Sequence, residues 1–311
     1  MKTINLGGKL PAPAIALGCM RYASLAPQDA AHLLSTALEL GLNFFDHADI
    51  YGGGKSEEVF AKAVKDINVK RESLLIQTKC GIRPGEKPPA TVRYDFSKEH
   101  IIAAVEGSLK RLGTDYVDAL LLHRPDTLVE PEEVAEAFTQ LEKSGKVRFF
   151  GVSNQKPLMI ELLKTAVKQP LIANQLQLSV LHTGMMDSGM NVNMKNPPSV
   201  DHDGSILEYS RIKGMTIQAW SPFQWGMIQG TFMGNPDYPE INAKLEEMGK
   251  AKGVTASAMA IAWLLRHPAK IQPIVGSTSA QRVREVAKAA EVELTREEWY
   301  EIYFTAGNRL P

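Results

Sequence analysis

The stretch "NFFDHADIYGGGKSEEVF", residues 43–60, joins a short apolar run to a polar cluster and then to three glycines. The cluster contains Asp46, His47, Asp49 and Tyr51. Such a cluster at the end of a hydrophobic strand has three interpretations: a metal site, an acid/base site or a polar turn. The rest of the chain helps to decide among them, because this apolar run is one of a series.

Apolar runs of this kind alternate with longer segments of helical pattern along nearly the whole chain. Each is short and rich in β-branched or aromatic residues, which is typical of strands. The eight runs lie at residues 14–18, 43–48, 74–79, 118–123, 147–154, 172–179, 215–222 and 272–278. Their alternation with helices predicts a parallel sheet. The length of the chain fits one closed (β/α)8 TIM barrel, a single domain over residues 1–311 with no Pro/Gly/Ser-rich linker.

The segments between the strands have recognisable helix ends. One helical pattern closes on Gly41, and another runs from Ser97, a predicted N-cap, to Gly113. A third has Pro131 in its first turn and Lys143 near its end, which suits the helix dipole. These signals support ordinary helices between the strands.

Two features interrupt the regular spacing. The segment "TINLGGKLPAP" predicts an N-terminal β-hairpin with Gly7 and Gly8 at its turn, able to plug one end of the barrel. Long loops follow strands three and six, at residues 81–100 and 182–204. We interpret the methionine-rich 182–204 loop as a substrate-side loop or lid, with a disordered insertion as the alternative.

The composition predicts a small-molecule partner. The 35 basic and 35 acidic residues balance, and no run of like charges indicates a nucleic-acid or membrane surface. No apolar segment resembles a signal peptide or a membrane span, so we expect a cytoplasmic protein. The only cysteines, Cys19 and Cys80, are too few for a disulfide scaffold. We expect reduced, packed thiols, with a redox role as the alternative.

Several ionisable residues fall where a parallel barrel has its active site, at the carboxyl ends of its strands. Asp46, Lys79 and His123 end the second, third and fourth strands, and Tyr51 follows the second. Each alone could cap a turn, reach solvent or fill the core. Their occurrence on three neighbouring strands favours one shared site.

The set suits proton transfer. Tyrosine holds its proton up to about pH 10, so its acidity at neutral pH depends on a nearby cation that stabilises the phenolate. Lys79 is the obvious cation, and we expect it to lower the pKa of Tyr51. A buried lysine needs a carboxylate partner, and Asp46 is placed to provide it. A neutral His123 could hold a substrate oxygen by a hydrogen bond.

The motifs "NFFDHADIYG", "LLIQTK" and "DALLLHRPD" resemble those of the aldo-keto reductase family, NADPH-dependent (β/α)8-barrel enzymes with an Asp, Tyr, Lys, His tetrad. The resemblance covers essentially the whole chain and maps the tetrad onto Asp46, Tyr51, Lys79 and His123. It implies an NADPH-dependent oxidoreductase that reduces aldehydes or ketones to alcohols, with Tyr51 as proton donor.

The same resemblance implies the cofactor-binding residues. The nicotinamide would contact the Ser-Asn pair after strand five, a glutamine on strand six and a stacking tryptophan on strand seven, with Asp46 nearby. "SPFQWGM" would approach the pyrophosphate, and "IVGSTSAQRVREV" would hold the 2′-phosphate and adenosine. The residues are Gly18, Met20, Ser153, Asn154, Gln175, Trp220, Ser221, Pro222, Phe223, Gly226, Gly276, Ser277, Thr278, Gln281 and Arg282.

The chain departs from the family pattern at Val286, where the family often has an asparagine near the adenine. Gln281 and Glu285 are the remaining candidates for adenine contacts. The alternative interpretation of this segment is an ordinary capped helix with a surface arginine.

Three other functions compete with carbonyl reduction. A regulatory, NADPH-sensing subunit with little turnover would keep the same fold. A Schiff-base aldolase would use Lys79 as nucleophile. A metal site at residues 46–49 is weaker, because strand alternation would point His47 away from Asp46.

Overall fold

A computed structural model describes residues 1–85, 91–226 and 230–311 of the chain. Its strands are β1 (Thr3–Leu6), β2 (Leu10–Pro13), β3 (Ala16–Gly18), β4 (Phe44–Asp46), β5 (Leu75–Cys80), β6 (Ile82–Arg83), β7 (Arg93–Tyr94), β8 (Val117–Leu122), β9 (Val147–Ser153), β10 (Leu171–Gln177), β11 (Thr216–Trp220) and β12 (Gln272–Val275). Its α-helices are α1 (Pro27–Glu39), α2 (Lys55–Asp66), α3 (Lys98–Leu112), α4 (Pro131–Lys143), α5 (Pro157–Lys164), α6 (Gly184–Met190), α7 (Ile206–Ile212), α8 (Pro239–Lys252), α9 (Ala256–Arg266), α10 (Ala280–Ala287) and α11 (Arg296–Thr305).

Eight parallel strands close into a barrel in the order β3, β4, β5, β8, β9, β10, β11, β12. The predicted (β/α)8 fold is therefore confirmed, and each predicted strand is present with ends shifted by a few residues. The last strand shows the largest shift, because β12 ends at Val275. Ser277 and Thr278 therefore lie in the connection to α10. The register places Asp46 beside Gln77, and Lys79 beside Leu121, so the carboxyl ends of these strands meet.

The predicted hairpin is present, and it packs at the end of the barrel where the strands begin. β1 and β2 pair antiparallel. Leu6 and Leu10 are buried in a cluster with Phe44 and Ile172, which lie near the starts of their strands. At the turn, Gly7 has a φ of 56°, and a Cβ there would lie 2.6 Å from the Cα atom of Ile172. Only glycine fits both the backbone conformation and this close approach.

The predicted helix ends agree with the structure. Ser97 caps α3 by accepting a hydrogen bond from the backbone of His100. Gly41 and Gly113 follow their helices with positive φ, and Pro131 starts α4. The helices pack around the barrel over one large apolar core. No helix in the described part of the chain is long and apolar enough to cross a membrane.

The two long loops both contain regular structure. After the third barrel strand, β6 and β7 form a short antiparallel pair, and residues 86–90 of that loop lie outside the described residues. The 182–204 loop contains α6 and a 3₁₀ turn at Pro197–Ser199, so it is not the disordered insertion of the alternative interpretation. Asp187 of α6 accepts a hydrogen bond from Tyr303 at 2.7 Å, which ties the loop to α11.

Candidate active site

A buried ion pair lies at the carboxyl ends of β4 and β5. Lys79 Nζ donates to Asp46 Oδ2 at 2.8 Å, to the carbonyl oxygen of His47 at 2.8 Å and to the Tyr51 hydroxyl at 3.1 Å. The Lys79 side chain is fully buried. Burial would lower the pKa of Lys79, but Asp46 and Tyr51 outweigh it, so the pKa lies above its usual value. Lys79 is therefore protonated, which does not suit a Schiff-base nucleophile.

Tyr51 reaches this pair because a tight 3₁₀ turn, Tyr51–Gly54, follows β4. Gly52 and Gly53 have φ values of 60° and 65°, a conformation that favours glycine. Burial raises the pKa of the Tyr51 phenol above its usual value, and Lys79 only partly opposes this effect. The expectation of a lowered pKa was therefore wrong for the net shift, because the expectation did not include the desolvation of the phenol.

His123 directly follows β8 and lies beside Tyr51. The two rings meet edge to face, with centroids 5.9 Å apart. Burial lowers the pKa of His123 to about 2, and the charges of Lys79 and Arg124 act in the same direction. The imidazole is therefore neutral at physiological pH. Its buried Nδ1 atom has no hydrogen-bond partner among the described residues.

Asp46 is also held by glutamine side chains that the sequence reasoning did not single out as a network. Its Oδ1 atom accepts hydrogen bonds from Gln77 at 2.6 Å and from Gln175 at 3.0 Å. Both glutamines also donate to Gln218, which in turn donates to Gln272 at 2.8 Å. Gln77 precedes Lys79 by two residues, so the period of a strand could have indicated that both side chains point into the barrel.

The polar side chains of residues 46–49 point to different sides of the barrel wall, as expected from strand alternation. Asp46 points into the barrel, whereas His47 packs outside it against Phe60, with ring centroids 4.6 Å apart. Burial lowers the pKa of His47 to about 3. Burial and the nearby Glu57 raise the pKa of Asp49 to about 7. The described residues contain no group of three or more His, Cys, Asp or Glu side chains that could hold a metal ion.

The Ser-Asn pair at the end of β9 meets the end of β11. Asn154 donates to Ser153 Oγ at 2.7 Å, and Trp220 Nε1 donates to Asn154 Oδ1 at 3.2 Å. Asn154 and Ser221 both have positive φ, at 58° and 52°. These contacts bring the predicted nicotinamide residues together at the mouth of the barrel. Gln175 lies deeper, where its amide is bonded to Asp46.

The predicted pyrophosphate segment begins at Ser221 and continues along the same rim. Pro222 is buried, Phe223 is partly buried, and the Phe223 carbonyl accepts a hydrogen bond from the backbone of Phe232 at 2.9 Å. Gly226 lies so close to His182 that a Cβ there would be 2.8 Å from its Nδ1 atom. Met227, the last residue of "SPFQWGM", lies outside the described residues.

Gly18 and Met20 lie on the same rim, at and just after the end of β3, which is separated from β11 by β12. Gly18 ends β3, and a Cβ built on it would lie 3.6 Å from the Cα atom of Gly276. Met20 is half exposed to solvent. Its carbonyl accepts a hydrogen bond from the Ser56 hydroxyl at 3.1 Å.

The predicted 2′-phosphate segment surrounds the start of α10. Ser279, rather than Ser277 or Thr278, is the N-cap, and its hydroxyl accepts from the backbone of Arg282. Ser277 supports this turn by accepting from Ser279 N at 3.2 Å. Thr278 and Arg282 are exposed, as is Gln281, which donates to Glu285. Val286 is buried beneath the helix, so it packs in the core.

A cavity of about 550 Å³ opens beside Trp220. His182, Met185 and Asp203 line it, so both ends of the 182–204 region reach this cavity. Its other lining residues are Arg124, Asn154, Gln155, Lys156, Leu176, Gln177, Ile206, Trp220 and Gly226. The Gln177 amide nitrogen is buried without a hydrogen-bond partner among the described residues. Gln177 follows Gln175 by two residues, which could have indicated that it faces the same side of the sheet.

Both cysteines are packed thiols. Cys19 and Cys80 are buried, and burial raises their pKa values well above normal. A thiol of raised pKa is a poor nucleophile at neutral pH. Their burial favours packing over the alternative redox role.

Comparisons with known proteins agree with this fold. The model of the aldo/keto reductase family matches residues 14–303. A 6-dehydroglucose reductase of Agrobacterium fabrum is 38% identical over 313 residues, covering 98% of each chain. A protein of the same name from Novosphingobium aromaticivorans is 33% identical, covering 96% of this chain and 93% of that one. The crystal structure of an aldo/keto reductase from Klebsiella pneumoniae in complex with NADP and acetate superposes with a TM-score of 0.77 at 25% identity, covering 100% of this chain and 99% of that one.

Proposed function

The chain belongs to the aldo/keto reductase family, and we propose that it reduces the carbonyl group of an aldehyde or ketone with NADPH, using Tyr51 as the proton donor. The observation that carries this proposal is the position of Lys79 Nζ, within hydrogen-bond distance of both Asp46 and Tyr51. The three residues form a chain in which a carboxylate holds a cation against a phenol. We further propose that residues 1–311 act as one catalytic domain in the cytoplasm.

Each side chain has a definite role in this proposal. The raised pKa keeps Tyr51 protonated until the carbonyl oxygen takes its proton. The phenolate left behind is then stabilised by the charge of Lys79, which Asp46 keeps in place. A neutral His123 donates a hydrogen bond to the same carbonyl oxygen and orients it.

The residues at the mouth and at the start of α10 fit the cofactor. Trp220 offers a partly buried aromatic face, and Arg282 beside the start of α10 makes no ion pair with any residue the structure describes. Ring stacking and phosphate binding use such features. NADPH, when bound, supplies hydride to the carbonyl carbon. Residues that would hold it are Gly18, Met20, Ser153, Asn154, Gln175, Trp220, Ser221, Pro222, Phe223, Gly226, Gly276, Ser277, Thr278, Gln281 and Arg282.

The decisive test replaces Tyr51 with phenylalanine. We expect kcat to fall by about 10²- to 10⁴-fold, because the general acid is lost, while the Kd for NADPH stays the same. NADPH consumption across a panel of aldehydes and ketones measures kcat, and fluorescence titration measures binding. The panel includes 6-dehydroglucose, the compound in the names of the two relatives.

Two outcomes would contradict the proposal. Undiminished reduction by the Tyr51→Phe variant would remove Tyr51 as the donor. Tight NADPH binding by the unmodified protein, with no consumption across the whole panel, would instead favour the NADPH-sensing alternative.

A further inference from the structure

Arg124 is a partly buried cation that has no acidic partner in the described part of the chain. It directly follows His123, and its guanidinium carbon lies 5.6 Å from the centroid of the Trp220 ring. Its side chain makes no ion pair or hydrogen bond with any residue in the described ranges. The other partly buried arginines among the described residues are paired with carboxylates, for example Arg71 with Asp118 and Arg111 with Glu57, both at 2.7 Å.

The charges around the cavity do not supply the missing partner. Arg124 and Lys156 line the cavity together with one carboxylate, that of Asp203, which forms no ion pair with any described residue. Burial lowers the pKa of His182, so it adds no charge at neutral pH. The cavity therefore carries an excess positive charge, although acidic and basic residues balance over the whole chain.

A guanidinium that has lost part of its hydration without gaining an anion is unfavourable by itself, and a bound carboxylate or phosphate would offset that cost. The fork of donors on arginine matches both groups by two parallel hydrogen bonds. Arg124 directly follows His123, and Asn154, which lines the same cavity, donates to the His123 carbonyl oxygen at 3.5 Å, so the cavity adjoins the proposed catalytic residues.

We propose that Arg124 selects aldehyde or ketone substrates that carry a carboxylate or phosphate group near the carbonyl. This inference rests on the proposed function, because it concerns the substrate of the same site. Arg124 acts in binding and takes no part in proton transfer.

The test uses pairs of substrates that differ in one charged group. Succinic semialdehyde is compared with butanal, and glyceraldehyde 3-phosphate with glyceraldehyde. We expect the unmodified protein to favour an anionic member of a pair in kcat/KM. In the Arg124→Gln variant that preference should fall by about 10- to 150-fold, mainly through KM, the usual range for a hydrogen bond to a charged group. The two pairs show whether carboxylate or phosphate is preferred.

Two further variants test whether the substrate preference depends on the guanidinium of Arg124 or only on positive charge in the cavity. Arg124→Lys keeps the charge but loses the fork, and should retain part of the preference. Lys156→Gln removes an exposed cation from the same cavity, and should change the preference less. An equal loss in Lys156→Gln would overturn the assignment to Arg124. So would weaker NADPH binding in Arg124→Gln with unchanged substrate preference, since Arg124 would then serve the cofactor.

Different results would refute this inference and the proposed function. Equal kcat/KM values within both pairs, with measurable reduction of butanal, would refute the inference alone. An absence of NADPH consumption with every carbonyl compound tested would refute the proposed function and this inference with it.

Discussion

The barrel mouth and the segment at residues 276–282 differ in how their polar side chains are held. In the mouth, Lys79 has three oxygen partners, and Asp46 accepts from Lys79 and two glutamines. At the start of α10, the segment is held mainly by its own cap, and Thr278 and Arg282 are exposed. The mouth is therefore organised by contacts within the fold, whereas the charged side chain of the surface segment makes no ion pair with any described residue.

The largest effect is expected from removing the cation of the buried Lys79–Asp46 pair at the mouth. In Lys79→Met, the buried Asp46 carboxylate loses its cation, so we expect the free energy of unfolding to fall by about 3–5 kcal/mol, as for other buried pairs. Denaturant titration at pH 7 measures this change. The control is Lys62→Met, which removes an exposed pair with Asp66 and should leave the midpoint nearly unchanged. Equal midpoints for both variants would show that the buried pair contributes no more to stability than the exposed pair.

A smaller effect is expected at the surface segment, and on binding rather than stability. In Arg282→Gln the Kd for NADPH should rise by about 10- to 150-fold, the range for a lost charged hydrogen bond, while NADH binding changes little. Arg284→Gln is the matched control, because Arg284 lies on the same helix but pairs with Glu39. Equal weakening of NADPH and NADH binding in Arg282→Gln would contradict a role in holding the 2′-phosphate.

The burial of His47, which follows Asp46 in the chain, makes the stability of the protein depend on pH. Its pKa is about 3 in the folded protein and about 6.5 when exposed, so below pH 6.5 the unfolded chain binds a proton that the folded chain does not. Stability is therefore lost as pH falls from 6.5 towards 3. His47→Phe should remove about 2 kcal/mol of the loss between pH 7 and pH 5.

The control for this acid response is His32→Gln on the exposed face of α1. Denaturant titrations of both variants at pH 7 and pH 5 make the measurement. An unchanged pH dependence in His47→Phe would mean that His47 can be protonated within the folded protein.

Local patterns in the sequence predicted the order of the strands, the helix ends at Ser97 and Gly113, and the clustering of Asp46 and Lys79. These succeed because strand alternation and helix capping depend on a few neighbouring residues. The meeting of Gln77 with Gln218 did not follow from the sequence, because the two residues are 141 positions apart. Such contacts depend on barrel closure and register, which local patterns do not report.

The position of Arg124 shows the same limitation. In "LLLHRPD" it reads as an ordinary polar residue after a strand. That it has no acidic partner among the described residues becomes visible only when the surrounding loops are in place. The pKa of Tyr51 likewise depends on burial by distant elements, which explains why the net direction of its shift was missed.

The glutamine network also links the orientations of the side-chain amides inside the barrel. Gln272 donates to the carbonyl oxygen of Pro13 at 2.8 Å, at the hairpin end, and Gln77 and Gln175 donate to Asp46 at the mouth. The Pro13 carbonyl and the Asp46 carboxylate at the two ends can only accept hydrogen bonds. The nitrogen and oxygen of each amide between them must therefore face an acceptor and a donor, respectively. Turning one amide over would set donor against donor, so the orientation of each amide depends on the orientation of its neighbours along the barrel interior.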